Sequence, residues 1–129
     1  MEKILLEETS NTPYVLFDFD NGVIEMKGRS IPEDSISFYQ PLMEAMEAYV
    51  NAPKPVTNIN VQLEYFSTSS SKCILDLFKK LEKIIKSGKT ATINWYYEEQ
   101  DEDMREAGVD YEAIIEVPFK IIQIDEPVE

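Results

Sequence analysis

Residues 56–81 read VTNINVQLEYFSTSSSKCILDLFKKL, and a change of period inside this stretch decides the fold. Its first half alternates: Ile59, Val61, Leu63 and Tyr65 fall on one side, Asn58, Asn60, Gln62 and Glu64 on the other. Successive strand side chains point to opposite faces, so this is a strand with one buried face and one wet face. Its second half repeats at three and four residues: Ile74, Leu77, Phe78 and Leu81, continued by Ile84 and Ile85. That spacing predicts an amphipathic helix, closed by Gly88 just past its end. Five consecutive hydroxyl residues, Ser67 to Ser71, fill the junction.

The same two periods organise the rest of the chain. Residues 13–27, PYVLFDFDNGVIEMK, alternate around Asn21-Gly22, the pair favoured in a type I′ hairpin turn. Ile36, Tyr39, Leu42, Met43, Met46, Tyr49 and Val50 mark one helical face, with Pro41 expected in its first turns or at a kink. TATINWYY alternates again, Ile93, Trp95 and Tyr97 against Thr92, Asn94 and Tyr96. The acidic segment EEQDEDMREAGVDYEAII predicts a third helix interrupted near Gly108, and VPFKIIQI a closing strand, followed by a frayed DEPVE tail. The expected order is ββαβαβαβ: a single α/β domain over residues 1–129, its ordered core about 10–123. Alternating strands and helices imply crossover units and a mixed, mostly parallel sheet. Two asparagine-bearing strand faces place the helices mainly on one side.

Composition excludes several functions. The 129 residues are 43% hydrophobic and 11% aromatic, enough for a packed core, but carry a net charge of −13 with a pI near 4.3. Such a surface does not neutralise nucleic-acid phosphates or settle on anionic lipid, so neither nucleic acid nor membrane is expected as a partner. Histidine is absent and Cys73 is the lone cysteine, which removes the usual metal ligands and general base; no metal, cofactor or catalytic residue is expected. No apolar run nears the ~20 residues of a bilayer span, and the acidic start MEKILLEETS lacks a signal-peptide pattern, so the cytoplasm is the expected location.

Several strings imitate chemistry. Ser87-Gly88-Lys89-Thr90 ends like a phosphate-binding loop, but Lys83 stands where the motif's first glycine belongs and the order is helix then strand. Ser69-x-x-Lys72 has the spacing of penicillin-binding enzymes without their other elements. Asp18 and Asp20 read as solvated turn carboxylates, Cys73 as packing, and Glu98 to Asp103 as acids complementing a helix N-terminus. One asymmetry stands out: residues 72–89 hold six lysines against two acids, +4 within a chain of −13, leaving −17 elsewhere. This is either a solvated helix face or a docking surface for an acidic partner.

One hydroxyl caps a helix, for about 1 kcal/mol. Five exceed that need, because serine has poor helix propensity. A phosphorylated hydroxyl at a strand-to-helix junction would meet free amides and add about −1.5 to −2 of charge to a partner-facing surface. The residues alone leave Thr68, Ser69 and Ser70 open as the acceptor.

The blocks GRSIPEDSISFYQPLMEAMEAYV, LEYFSTSSSKCILDLFKKLEK, INWYYEEQDEDMREAGVDYEAI and PFKII together resemble the SiaC family of bacterial regulatory phosphoproteins. The resemblance covers nearly all of residues 10–123 and implies a STAS-like fold and a non-enzymatic partner-switching role. It implies that a Ser/Thr protein kinase phosphorylates a threonine, matched here by Thr68, and that a PP2C-type phosphatase reverses this. The unphosphorylated form would bind and stimulate an effector, a diguanylate cyclase of cyclic di-GMP signalling. Ser67 stands where the family often has asparagine, and Ser69 and Ser70 complete the block. The expected partner contact joins Ser67, Ser69 and Ser70 to the neighbouring Lys72 and Asp76. The competing expectation is an enzyme or small-molecule-binding domain built on the aromatic, acidic patch Trp95-Tyr96-Tyr97-Glu98-Glu99.

Overall fold

The computed structural model describes residues 2–125; the tail from residue 126 lies outside them. Six strands form one sheet in sequential order: β1 (Ile4–Leu6), β2 (Tyr14–Asp18), β3 (Val23–Ser30), β4 (Val56–Phe66), β5 (Thr90–Glu98) and β6 (Phe119–Ile124). β1, β2 and β3 pair antiparallel; β3 through β6 are parallel. Helices α1 (Ser35–Val50), α2 (Thr68–Lys86) and α3 (Glu102–Ile114) make the three crossovers. Their buried residues meet Val15, Phe17, Ile24, Met26, Ile59, Val61, Ile93 and Trp95 in one core, while Lys27, Asn58 and Gln62 alternate onto the helix-free face. There Asn94 donates to Asn60 at 2.9 Å, a polar rung on the wet side.

The expected mixed sheet with its helices on one side is therefore present, and α2 carries its apolar stripe as read, Ile74, Leu77, Phe78, Leu81 and Ile84 buried. Past Ser87, Gly88 turns left-handed (φ 85°); its amide reaches the Ile85 carbonyl at 3.0 Å and that of Lys89 reaches Ile84 at 3.2 Å. These are the two bonds of a Schellman motif.

Five expectations need correction. Residues 4–6, before the expected core, form β1, whose Ile4 and Leu6 pack on the core and which pairs Leu5 with Leu16. The hairpin is not type I′: Phe19–Asn21 form a 3-10 turn, and only Gly22 is left-handed (φ 65°). Phe19 is buried, stacked on Tyr49 with centroids 4.8 Å apart, so core packing lengthens the loop beyond two residues. Pro41 lies in the second turn of α1, as expected, but the apolar stripe begins at Tyr39: Ile36 is 73% exposed. Tyr65 is also exposed, because β4 carries a bulge opposite Gly28-Arg29 that leaves Glu64 without a partner. One extra residue exchanges the faces, so Phe66 turns inward, its ring 6.1 Å from Trp95.

Finally, α3 continues through Gly108. That glycine is a packing position: a Cβ there would stand 2.5 Å from Trp95 Cδ1. Asp101 caps the helix by accepting from the Met104 amide at 3.0 Å, and Glu102 and Asp103 follow in its first turn.

Candidate functional site

The bulge in β4 positions the junction. It sets Phe66 opposite Ser30, the last residue of β3, and the next amide, Ser67, donates to the Ser30 carbonyl at 3.0 Å. The chain then enters α2 with Ser67 as N-cap: its hydroxyl accepts from the Ser70 amide at 3.2 Å. Serine and asparagine both serve this role, so Ser67 is a competent cap. Replacing Ser67 by alanine is expected to cost about 1 kcal/mol and to speed amide exchange at Ser70 before any other α2 position. Unchanged exchange there would count against the cap.

The five hydroxyls differ in their surroundings. Ser70 is wholly buried and accepts from the Ser30 hydroxyl at 2.9 Å; Ser30 also shares a 2.6 Å bond with the Tyr39 hydroxyl. Ser69 is exposed but bonded to the buried Ser35 at 2.8 Å and to Ser67 at 3.2 Å. Ser71 lies 3.0 Å from the Tyr111 hydroxyl, which donates to the Ser71 carbonyl at 2.9 Å. Thr68 alone is exposed with a hydroxyl that has no hydrogen-bond partner among the described residues. Burial raises the Tyr39 and Tyr111 phenols to about 12, so both stay neutral donors over the physiological range.

Three of the four surplus hydroxyls, Ser69, Ser70 and Ser71, thus hold the first turn of α2 to α1, β3 and α3. The placement corrects one expected contact: Ser70 is sealed under the turn and cannot touch a docked protein. Thr68, Ser69, Lys72 and Asp76 remain on the outer surface, with Ser67 half-buried. The sequence reading missed Ser30, Ser35 and Tyr39 as partners of the junction. Tyr39 had been counted as an apolar stripe member, and nothing local to Ser30 or Ser35 signals a contact across 35 to 40 residues.

Two surface features lie along α1 and the start of α2, sharing Ile36. Glu33, Asp34, Ser35, Ile36 and Ser69 line a hollow at the junction. The Ser37 amide and hydroxyl bind the Asp34 carboxylate and hold its pKa below the usual value, so it stays charged. A groove of about 570 Å³ then runs between α1 and α2, with Ile36, Tyr39, Met43 and Cys73 along it and Asp76, Lys79 and Glu44 among its charges. Burial pushes the Cys73 thiol up, so the sulfur is an inert part of that floor.

The lysine stripe of α2 is partly spent inside the fold. Lys80 pairs with Glu47 at 3.6 Å, Lys83 donates to Asn51, and Lys89 to the Pro53 carbonyl at 2.7 Å. Lys72, Lys79 and Lys86 point outward.

The aromatic, acidic patch assembles only in part, without Trp95. Trp95 is fully buried, its indole donating to the Met104 carbonyl at 2.9 Å, while Tyr96 lies on the opposite, helix-free face. Strand alternation removes Trp95 from the surface, while Tyr96, Tyr97 and Glu98 line a hollow of about 230 Å³ with Glu8, Lys27 and Gln62.

Comparison with known proteins decides the family. The profile described as SiaC family regulatory phosphoprotein matches residues 6–124. The chain belongs to the SiaC family. An uncharacterized protein of Pseudomonas aeruginosa (strain UCBPP-PA14) is 25% identical over 126 residues, 98% of this chain and 100% of that protein. Apo-SiaC from Pseudomonas aeruginosa has the same fold, with a TM-score of 0.87 at 24% identity over 95% of this chain and 99% of that one. The SiaC chain crystallised with the diguanylate cyclase SiaD, as its activator, matches equally: TM-score 0.87, 24% identity, 94% and 99% coverage. Among the described residues of this SiaC-family protein, no helix is long and apolar enough to cross a membrane.

Proposed function

We propose that this SiaC-family protein is a non-enzymatic, cytoplasmic partner switch controlled by reversible phosphorylation of Thr68. A Ser/Thr protein kinase adds the phosphate and a PP2C-type phosphatase removes it. The unphosphorylated form binds and stimulates a diguanylate cyclase; the reading is supported by the complex in which SiaC is the activator of the diguanylate cyclase SiaD. One observation carries the choice of residue: of the five junction hydroxyls, Thr68 alone is both exposed and without a hydrogen-bond partner among the described residues. A kinase needs a hydroxyl that can leave the surface to reach its base. Taking Ser69 or Ser70 would break bonds to Ser35 or Ser30, whereas taking Thr68 breaks none.

The docking surface of this reading runs from the first turn of α2 along the groove toward Asp76. Exposed Ile36 stands at its mouth, and Tyr39, Met43 and Cys73 lie along it. A phosphate on Thr68 would sit at the edge of that surface without disturbing the core. Phosphopeptide mass spectrometry of the protein purified from its native host is expected to place the phosphate on residue 68, and to find none in Thr68→Val. A phosphate on Ser69, or none under any growth condition, would sink this assignment.

A further inference from the structure

Thr68 opens α2 and Lys72 follows four residues later, so the two side chains share one helix face a turn apart. Helical side chains lean back toward the N-terminus, which carries the Lys72 ammonium toward the Thr68 hydroxyl. Lys72 is exposed and belongs to no ion pair among the described residues. The next lysine of the helix, Lys79, is about 16 Å from Thr68 at ~1.5 Å per residue. That is beyond the Debye length of about 8 Å in physiological salt.

The other charged groups around the junction are mostly acids. Glu33 and Asp34 belong to the hollow that Ser69 lines, and Asp76 lies a further turn down α2. α3 contributes Tyr111, a neutral phenol bonded to Ser71. Arg29, near the end of β3, alternates onto the helix-free face between the buried Gly28 and Ser30.

We propose that Lys72 is the built-in counter-ion of a phosphate on Thr68. Unmodified, the protein offers Lys72 to a carboxylate of its partner. Modified, the same ammonium turns to the phosphate, so the Thr68–Lys72 pair passes from +1 to about −0.5 to −1 and the cation is no longer offered. A carboxylate of the partner therefore loses its cation and faces a net negative pair from one modification. This inference rests on phosphorylation at Thr68 and adds the residue that answers it.

The test installs phosphothreonine at position 68 of the full chain by genetic encoding and follows the phosphorus resonance as pH is varied. A cation at ion-pair distance favours the dianion, so the second phosphate pKa of the otherwise unaltered protein is expected below that of Lys72→Gln. The expected gap is about 0.3 pH unit, the size of a helical i,i+4 pair. It should persist in Lys72→Arg and in Lys79→Gln, and close near 1 M salt, where the Debye length is ~3 Å. Identical midpoints in the parent and Lys72→Gln would overturn the proposal, as would an equal rise in Lys79→Gln, which would indicate a diffuse field. Because the phosphate is installed directly, this outcome is independent of whether the host phosphorylates Thr68; an absence of phosphopeptides would overturn that earlier reading alone.

Discussion

Gly108→Ala is expected to destabilise the protein by about 2 kcal/mol, although alanine in a helix interior normally gains ~1 kcal/mol over glycine. The reversal comes from Trp95. A Cβ at position 108 would stand 2.5 Å from Cδ1 and 2.8 Å from Nε1 of an indole that is fully buried. The ring cannot retreat: Phe66, Phe78, Tyr111 and Phe119 surround it, and its N–H is bonded to the Met104 carbonyl on the same helix that carries Gly108. Relief requires α3 to move outward, which stretches that bond and opens the interface with β5. Overpacking of this kind costs about 1–3 kcal/mol, occasionally more, and a rigid ring against backbone belongs at the upper end. Urea unfolding should show a lower midpoint, with a fall in Tm of roughly 6–10 °C for a domain of this size. Trp95 is the only tryptophan, so its emission reports the displaced ring directly. A variant more stable than the parent would show that α3 has room to accommodate the methyl.

The same glycine shows where the sequence stops being legible. Glycine weakens a helix unless packing requires it, and local propensity alone puts a break at Gly108; the indole that claims its space lies thirteen residues earlier. The β4 bulge is hidden for a related reason. Alternation through VTNINVQLEYF is uninterrupted, and both Tyr65 and Phe66 are acceptable on an apolar face, so no residue in the string marks where the phase changes. β1 escapes because three residues carry too few periods to read. By contrast, the strand-to-helix unit of β4 and α2 is plain, since both of its periods run for many residues.

Within the site, one signal was present and usable. Ser70 precedes Ile74 by four residues and Leu77 by seven, in phase with the buried stripe of α2, and it is buried. Thr68 precedes Lys72 by four and Asp76 by eight, in phase with the outward stripe, and all three are exposed. Helical phase therefore separates a structural serine from an accessible threonine two residues away. What phase cannot supply is the set of distant partners, Ser30, Ser35, Tyr39 and Tyr111, that occupies the other hydroxyls.

That separation sets the expected behaviour of Thr68→Glu, which should weaken binding of the cognate diguanylate cyclase toward the lower part of the roughly 5- to 150-fold range typical of coupling between a modification and a binding site. Glutamate brings one negative charge where phosphate brings about 1.5 to 2, so the mimic is partial. Thr68→Ala should bind within a factor of two of the parent, since the hydroxyl makes no hydrogen bond that the substitution removes. Neither change should disturb the fold. An acidic side chain in the first turn of a helix is favourable by about 0.3–1 kcal/mol, and position 68 is exposed. Equal melting temperatures would therefore assign any lost affinity to the interface itself. The loss should also shrink as salt is raised, because an exposed charge is screened beyond a few ångströms at high ionic strength. Titration calorimetry with the cyclase at two salt concentrations measures both effects; glutamate and alanine variants that bind alike would mean that the partner does not read charge at the start of α2.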